Sequence, residues 1–269
     1  MTRRIALLVL AAALPACAAM PVPPAPVQQS GLQAAIASPS RSADNVVRDR
    51  YRHPAETLAF FGVNPGDTVV EIWPGGGWYS EILAPYLAAG GGTYIAAASE
   101  RGLAGVTKLA AASPAQFGTV RTADFPALAT GGTPVAAGSA DVVLTFRNVH
   151  NWMIGDKPFD ADAFRQMYAM LKPGGTLGVV EHRLPAAADD ARQLKSGYVK
   201  VSTVRRLAEA AGFRLVAASE INANAKDSAD WAEGVWTLPP SFALKDQDRA
   251  KYAAIGESDR MTLKFVKPR

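Results

Sequence analysis

From Asp44 onward, stretches with apolar residues at helical spacing alternate with short runs of consecutive apolar residues. That alternation predicts a parallel sheet with crossover helices. The apolar runs place strands at 68–72, 93–97, 119–122, 140–146, 176–181, 213–221 and 261–266. Helices are expected over 46–61, with Pro54 opening the second part, and over 78–89, 103–112, 162–171 and 201–211. Within 78–89, Ile82, Leu83, Tyr86 and Leu87 share one face. Turn residues punctuate these segments at Asn64-Pro65-Gly66-Asp67, at Gly90 to Gly92 and at Lys172-Pro173-Gly174-Gly175, and Ser202 is placed to cap a helix. Six strands alternate with helices and a seventh follows without a clear crossover. The expected fold class is therefore α/β: a doubly wound, seven-stranded, mostly parallel sheet with the last strand antiparallel. Its ligands belong at the carboxyl ends of the strands.

The first 43 residues depart from this pattern. Arg3 and Arg4 precede an apolar run from Ile5 to Leu14, too short to cross about 30 Å of hydrocarbon as a helix. Residues 1–16 read as a signal peptide. Leu14-Pro15-Ala16-Cys17 resembles a bacterial lipobox, in which Cys17 becomes the lipidated first residue of the mature chain. Cleavage after Ala16-Cys17-Ala18 fits the small-x-small rule as well, and both readings stand. Residues 17–43, rich in Pro, Ala, Ser and Gln, are expected to form a flexible, extended tether before a folded domain over 44–269. The expected location is outside the cytoplasm, periplasmic or attached to the envelope membrane through Cys17.

Composition narrows the classes further. Lys+Arg 28 against Asp+Glu 24 gives a net charge of +4 in 269 residues, and two of those arginines lie in the signal segment. So mild a balance predicts no nucleic-acid partner. With 49% hydrophobic and 19% charged residues the chain is not disordered, and its single cysteine excludes a disulfide framework and a Cys-rich zinc site.

Candidate chemistry gathers at strand ends. Val69 to Trp78 places an acid, Glu71, near the end of a strand, then the glycine turn Gly75-Gly76-Gly77, then a helix. Glycines there let backbone approach a ligand and take positive φ, although a tight strand-to-helix connection uses the same residues. Arg147, Asn148, His150, Asn151 and Trp152 follow the fourth strand, and Glu181, His182 and Arg183 close the fifth. Adjacent parallel strands bring both groups around one crevice. His150 is the candidate general base, with His182 and Glu181 as further candidate catalytic groups. These three lack the spacing of a metal motif, and no metal is expected. The connection 222–260 leaves the ligand side of the sheet and is long for a compact domain. Its Trp231, Trp236 and Phe242 form either an apolar lid over a substrate or a contact with the body.

Through Val69 to Tyr79, Arg147-Asn148-Val149 and Leu171 to Gly175, the chain from about residue 50 to 269 resembles the class I S-adenosylmethionine-dependent methyltransferases. Gly77 to Tyr86, Thr145 to Trp152 and Val179 to Arg183 look more narrowly like a group of exported bacterial methyltransferases. The resemblance implies a Rossmann-like methyltransferase fold with S-adenosylmethionine as cofactor. It implies that Glu71, Gly75, Gly76 and Gly77 surround the methionine moiety beside Trp73 and Trp78. Ala98 then falls at the ribose position, Asp124 and Phe125 at the adenine, and Arg147 and Asn148 beyond the fourth strand.

Two residues depart from the family pattern. Trp73 stands where the first loop glycine is usual, so the turn is reshaped or the indole lines the cofactor pocket. Ala98 stands where an acid normally accepts hydrogen bonds from both ribose hydroxyls, bonds worth roughly 1.5–3 kcal/mol each. Two functions are therefore open. One is methyl transfer to a small or lipophilic acceptor, a reaction that needs mainly in-line positioning. The other is an exported lipoprotein that binds a ligand in a methyltransferase-like pocket without catalysis. Export bears on the choice, because S-adenosylmethionine is made and used in the cytoplasm.

Overall fold

The computed structural model describes residues 26–127 and 132–269. The expected signal, Cys17 and the first part of the expected tether lie outside the described residues. Helices α1 (Pro26–Ile36), α2 (Ala43–Val46), α3 (Asp49–Arg52) and α4 (Pro54–Phe61) precede β1 (Thr68–Ile72). There follow α5 (Ser80–Ala89), β2 (Thr93–Ala97), α6 (Glu100–Ala112), α7 (Pro114–Phe117), β3 (Arg121–Ala123) and β4 (Ala140–Phe146). The second half contains α8 (Val149–Met153), α9 (Asp160–Met170), β5 (Leu171–His182), α10 (Val201–Ala210), β6 (Arg214–Ser219), α11 (Arg249–Ile255) and β7 (Arg260–Val266).

The strands make one sheet in the order β3-β2-β1-β4-β5-β7-β6. Pairing is parallel except for β7, which runs antiparallel to both β5 and β6. The strand order reverses between β1 and β4, which opens a crevice at their carboxyl ends. Strands buried on both faces read as continuous apolar runs, and β1 and β4 do so. Val70, Ile72, Val143 and Val179 bury one face with Phe164 and Met167 of α9 and Val204 of α10. Val69, Val142 and Leu144 bury the other with Phe61 of α4 and Ile82 and Leu83 of α5.

Three local expectations change. The helix expected over 46–61 is split, because a proline disfavours α conformation in the residue before it. His53 takes φ 41° and separates α3 from α4, which restarts at Pro54, where a missing N–H is no loss. β5 starts at Leu171 rather than at 176: Leu171 pairs with Ala140 and the register then shifts before Val142, so the glycine turn is absorbed as an irregularity within the strand. The expected tether is corrected where it is described. Residues 26–36 are helical, and α1 lies on α5 with Leu32 and Ala35 buried. The sequence is poor in charge there because part of it faces protein.

The long connection is ordered. Asp227 accepts hydrogen bonds from Tyr198 Oη, from Trp231 Nε1 at 2.7 Å and from the backbone N–H of Asp259 at 2.8 Å. Asn222 Nδ2 donates to Thr57 and Thr262 at 3.0 Å, which ties the connection to α4 and β7. Among the described residues no helix is long and apolar enough to cross a membrane.

The docking of α1 is testable. Leu32→Ala should lower the unfolding free energy by about 2–3 kcal/mol, measured by urea denaturation. An undocked segment would give no change.

Candidate functional site

The crevice is assembled by backbone contacts between neighbouring strand ends. Asn148 Nδ2 donates to the Ile72 carbonyl at 2.9 Å and to Thr145 Oγ1 at 3.2 Å, holding the loop after β4 against the end of β1. Arg147 N–H donates to the Val180 carbonyl at 2.7 Å and takes φ 62°, a left-handed conformation rare for a long side chain. Between these ends and the connection before β7 lies a cavity of about 330 Å3. Gly75 and Gly76 form one side of it, and a Cβ at either would meet nothing within 4 Å, so backbone faces the cavity freely. Gly77 serves packing instead, since a Cβ there would stand 2.6 Å from Leu109.

His150 and Glu181 form the centre of the polar wall. Glu181 is fully buried, and its Oε1 lies 3.0 Å from His150 Nδ1. A carboxylate oxygen can only accept, so Nδ1 carries the proton and Nε2 is the basic nitrogen of the ring. The carboxylate is fixed by the backbone N–H groups of His182 at 2.8 Å and His150 at 3.3 Å. Glu181 therefore orients His150 and does not itself line the cavity, whereas both histidines do. His182 Nδ1 lies 2.5 Å from Ser258 Oγ, and burial together with the neighbouring His150 and Arg147 holds this ring well below the usual imidazole range. His182 is thus a neutral ring. One donor atom from each of His150, Glu181 and His182 falls within 4.8 Å of the others, but the Glu181 oxygens already hold His150 and two backbone N–H groups.

Glu71 is buried beside the glycine loop. It accepts hydrogen bonds from Tyr94 Oη at 2.5 Å and Ser80 Oγ at 3.3 Å, and burial pushes its carboxyl up to about 7.

Other residues named from the sequence fall into two groups. Glu71, Trp73, Gly75, Gly76 and Trp78 reach the cavity, as do Arg147, Asn148, His150 and His182. Ala98, Asp124 and Phe125 do not line it: Ala98 and Phe125 are fully buried, and Asp124 Oδ2 accepts the Thr133 N–H at 2.5 Å within its own loop. Of Trp231, Trp236 and Phe242 in the connection, only Trp236 lines the cavity, edge-on to His150 at 6.0 Å. Trp231 packs on Tyr252, and Phe242 lies under the Arg249 guanidinium. The sequence pattern did not reveal Arg48 and Arg52, which line the cavity from the turns before α4. Their partner Glu257 is 209 and 205 residues away, so no local signal marks them.

Trp73 lies where the resemblance places the nucleoside of the cofactor. Trp73 takes φ 52° and its indole N–H donates to the Phe125 carbonyl at 3.1 Å. Since β2 lies between β1 and β3, an indole rooted at β1 that reaches beyond β3 crosses the end of β2. The ring stands edge-on to Trp152 at 6.0 Å and against Phe159 at 5.8 Å. Behind it α6 presses on the same strand end: a Cβ at Gly102 would lie 2.9 Å from the Ala98 Cβ, and one at Gly105 would lie 2.4 Å from the Gly75 carbonyl oxygen. Ala98 is fully buried at this contact. Where the resemblance places a methionine end the glycine backbone is open, and where it places a nucleoside the Trp73 indole lies across the strand end.

No protein-family model matches the chain, and no curated protein matches it in sequence. Solved structures share its fold. An S-adenosylmethionine-dependent methyltransferase from Aquifex aeolicus superposes with a TM-score of 0.54 at 14% identity, covering 89% of this chain and 98% of that one. The [4+2]-cyclase SpnF gives 0.54 at 17% identity over 90% and 96%. A geranyl diphosphate methyltransferase in complex with S-adenosylmethionine gives 0.52 at 13% identity over 87% and 94%. At these identities the likeness establishes the methyltransferase-type α/β fold.

The state of Glu71 has a measurable sign. Its folded pKa of about 7 lies above the ordinary 4.5, so between those values the folded protein keeps a proton that the unfolded chain has lost. Stability contributed by this group falls as pH rises through that window, by at most about 3 kcal/mol. Glu71→Gln should remove that fall, read as the difference in urea midpoint between the variant and the unaltered protein at about pH 5 and about pH 7.5.

Proposed function

We propose that the protein binds a small molecule in the open half of a methyltransferase-type crevice without taking a nucleoside cofactor. His150, oriented by Glu181, is the group available there to exchange a proton with the ligand. The observation that carries this reading is the Trp73 indole hydrogen-bonded to the Phe125 carbonyl across the end of β2. Ala98, fully buried under α6, supports it, since no acid is present to receive ribose hydroxyls. The expected export signal points the same way, because an exported protein meets no supply of S-adenosylmethionine. The fold is compatible with it: a [4+2]-cyclase is among the structures that share it.

A second reading is S-adenosylmethionine-dependent methyl transfer to a small or lipophilic acceptor. The open Gly75-Gly76 backbone beside Glu71 favours it, as do the named activities of the fold neighbours. It requires Trp73 to vacate the nucleoside half.

Calorimetric titration of the protein with S-adenosylmethionine separates the two. The expected result is no saturable heat up to about 1 mM ligand. Saturable binding by the unaltered protein would overturn the first reading in favour of the second.

A further inference from the structure

Two arginines face the cavity with hydrogen-bonding capacity that the described protein leaves unused. Arg52 is almost fully buried; its Nε donates to Glu257 Oε2 at 3.1 Å and its guanidinium lies 4.8 Å from the Trp78 ring centre. Neither Nη1 nor Nη2 of Arg52 has a hydrogen-bond partner. Arg147 lines the same cavity from the end of β4, and among the described residues its side chain has no hydrogen-bond or ion-pair partner. Buried polar groups are nearly always paired, and a buried charge without compensation is strongly disfavoured. The two Nη groups of Arg52 are in the unpaired condition, and the half-buried Arg147 brings a second guanidinium without a protein partner to the same cavity.

Charge around the cavity agrees. Arg48, Arg52 and Arg260 all pair with the one carboxylate of Glu257, and Arg147 adds a further guanidinium. Glu71, the acid that lines the cavity, is bonded to Tyr94 and Ser80 and not to an arginine. The excess is therefore more than one positive charge. The wall also carries aromatic residues: Tyr79 stacks on Phe146 with ring centres 3.7 Å apart, and Trp236 closes the side formed by the long connection.

We propose that the cavity takes a small organic phosphate, with its dianionic head between Arg52 and Arg147 and its apolar body against Tyr79, Phe146 and Trp236. A phosphate offers three acceptor oxygens and up to two charges to two guanidinium forks, whereas a carboxylate offers two oxygens and one charge. This assignment deepens the small-molecule reading by naming the ligand class, and it stands independently of whether a methyl donor binds.

The experiment is calorimetric titration of the whole protein, free of S-adenosylmethionine, with phenyl phosphate, inorganic phosphate and benzoate. Phenyl phosphate is expected to bind at a single site more tightly than the other two. Arg147→Met should weaken it by roughly tenfold or more, and Arg147→Lys by less, because a lysine keeps the charge and loses the fork. A measurement on the unaltered protein guards against a variant that fails to fold: phenyl phosphate should raise its melting temperature more than sodium chloride of equal ionic strength. Absence of saturable phenyl phosphate binding up to about 10 mM would overturn the site. Equal affinity in Arg147→Met would overturn the placement, and tighter binding of benzoate would overturn the phosphate class. None of these outcomes depends on the S-adenosylmethionine titration, so the two readings fail separately.

Discussion

One buried carboxylate organises the ligand side of this domain. Glu257 lies just before β7 and receives Arg48 at 2.7 Å, Arg52 at 3.1 Å and Arg260 at 3.1 Å. Burial alone would raise its pKa, yet the surrounding arginines hold it down to about 2. The pairing bridges segments about two hundred residues apart, so the turns before α4 are fastened over the carboxyl edge of the sheet. Removing one member of such a group leaves uncompensated charge in a poorly solvated place, a loss of about 3–5 kcal/mol in comparable cases. The position of Arg52, and with it one wall of the cavity, depends on this contact.

The second organising contact is made by a side chain that the loop would not be expected to accept. Trp73 occupies a left-handed backbone position that favours glycine, and its indole runs across the strand ends to the Phe125 carbonyl. A residue held in such a conformation is sustained by its surroundings, here the rings of Trp152 and Phe159. The effect is to divide a crevice that the fold would leave continuous. On one side are packed aromatic residues; on the other are His150, Arg147 and the open glycine backbone.

Much of this is legible in the sequence. The bounds of β1, β2 and β4 follow from uninterrupted apolar runs, because a strand covered on both faces needs no alternation. The grouping of Arg147 and His150 with His182 follows from parallel strands having neighbouring ends. The absence of an acid at Ala98 is a property of one position and could be read directly. What escaped was long-range or conformational. Arg52 sits in a segment that reads as an ordinary helix, and only Glu257 gives it a direction. Trp73 was recognisable as a departure, but whether its indole lines or fills the pocket depends on a carbonyl 52 residues later. The helix α1 was hidden by composition, since Ala, Gly and Gln serve a tether and a docked helix alike.

The contact of α6 with the glycine loop has a mechanical consequence. Gly105 meets the Gly75 carbonyl, and Gly102 meets Ala98, so helix and strand ends touch through backbone and Cβ atoms with no compressible side chain between them. Turning Trp73 outward would empty one slot without widening it. Greater width requires α6 to translate as a rigid rod, against a packed interior that transmits displacement instead of absorbing it. The connection carrying Trp236 is seated as closely, a Cβ at Gly234 standing 2.2 Å from the Ser196 carbonyl oxygen, so both walls of the crevice are set by backbone contact rather than by side chains that could give way.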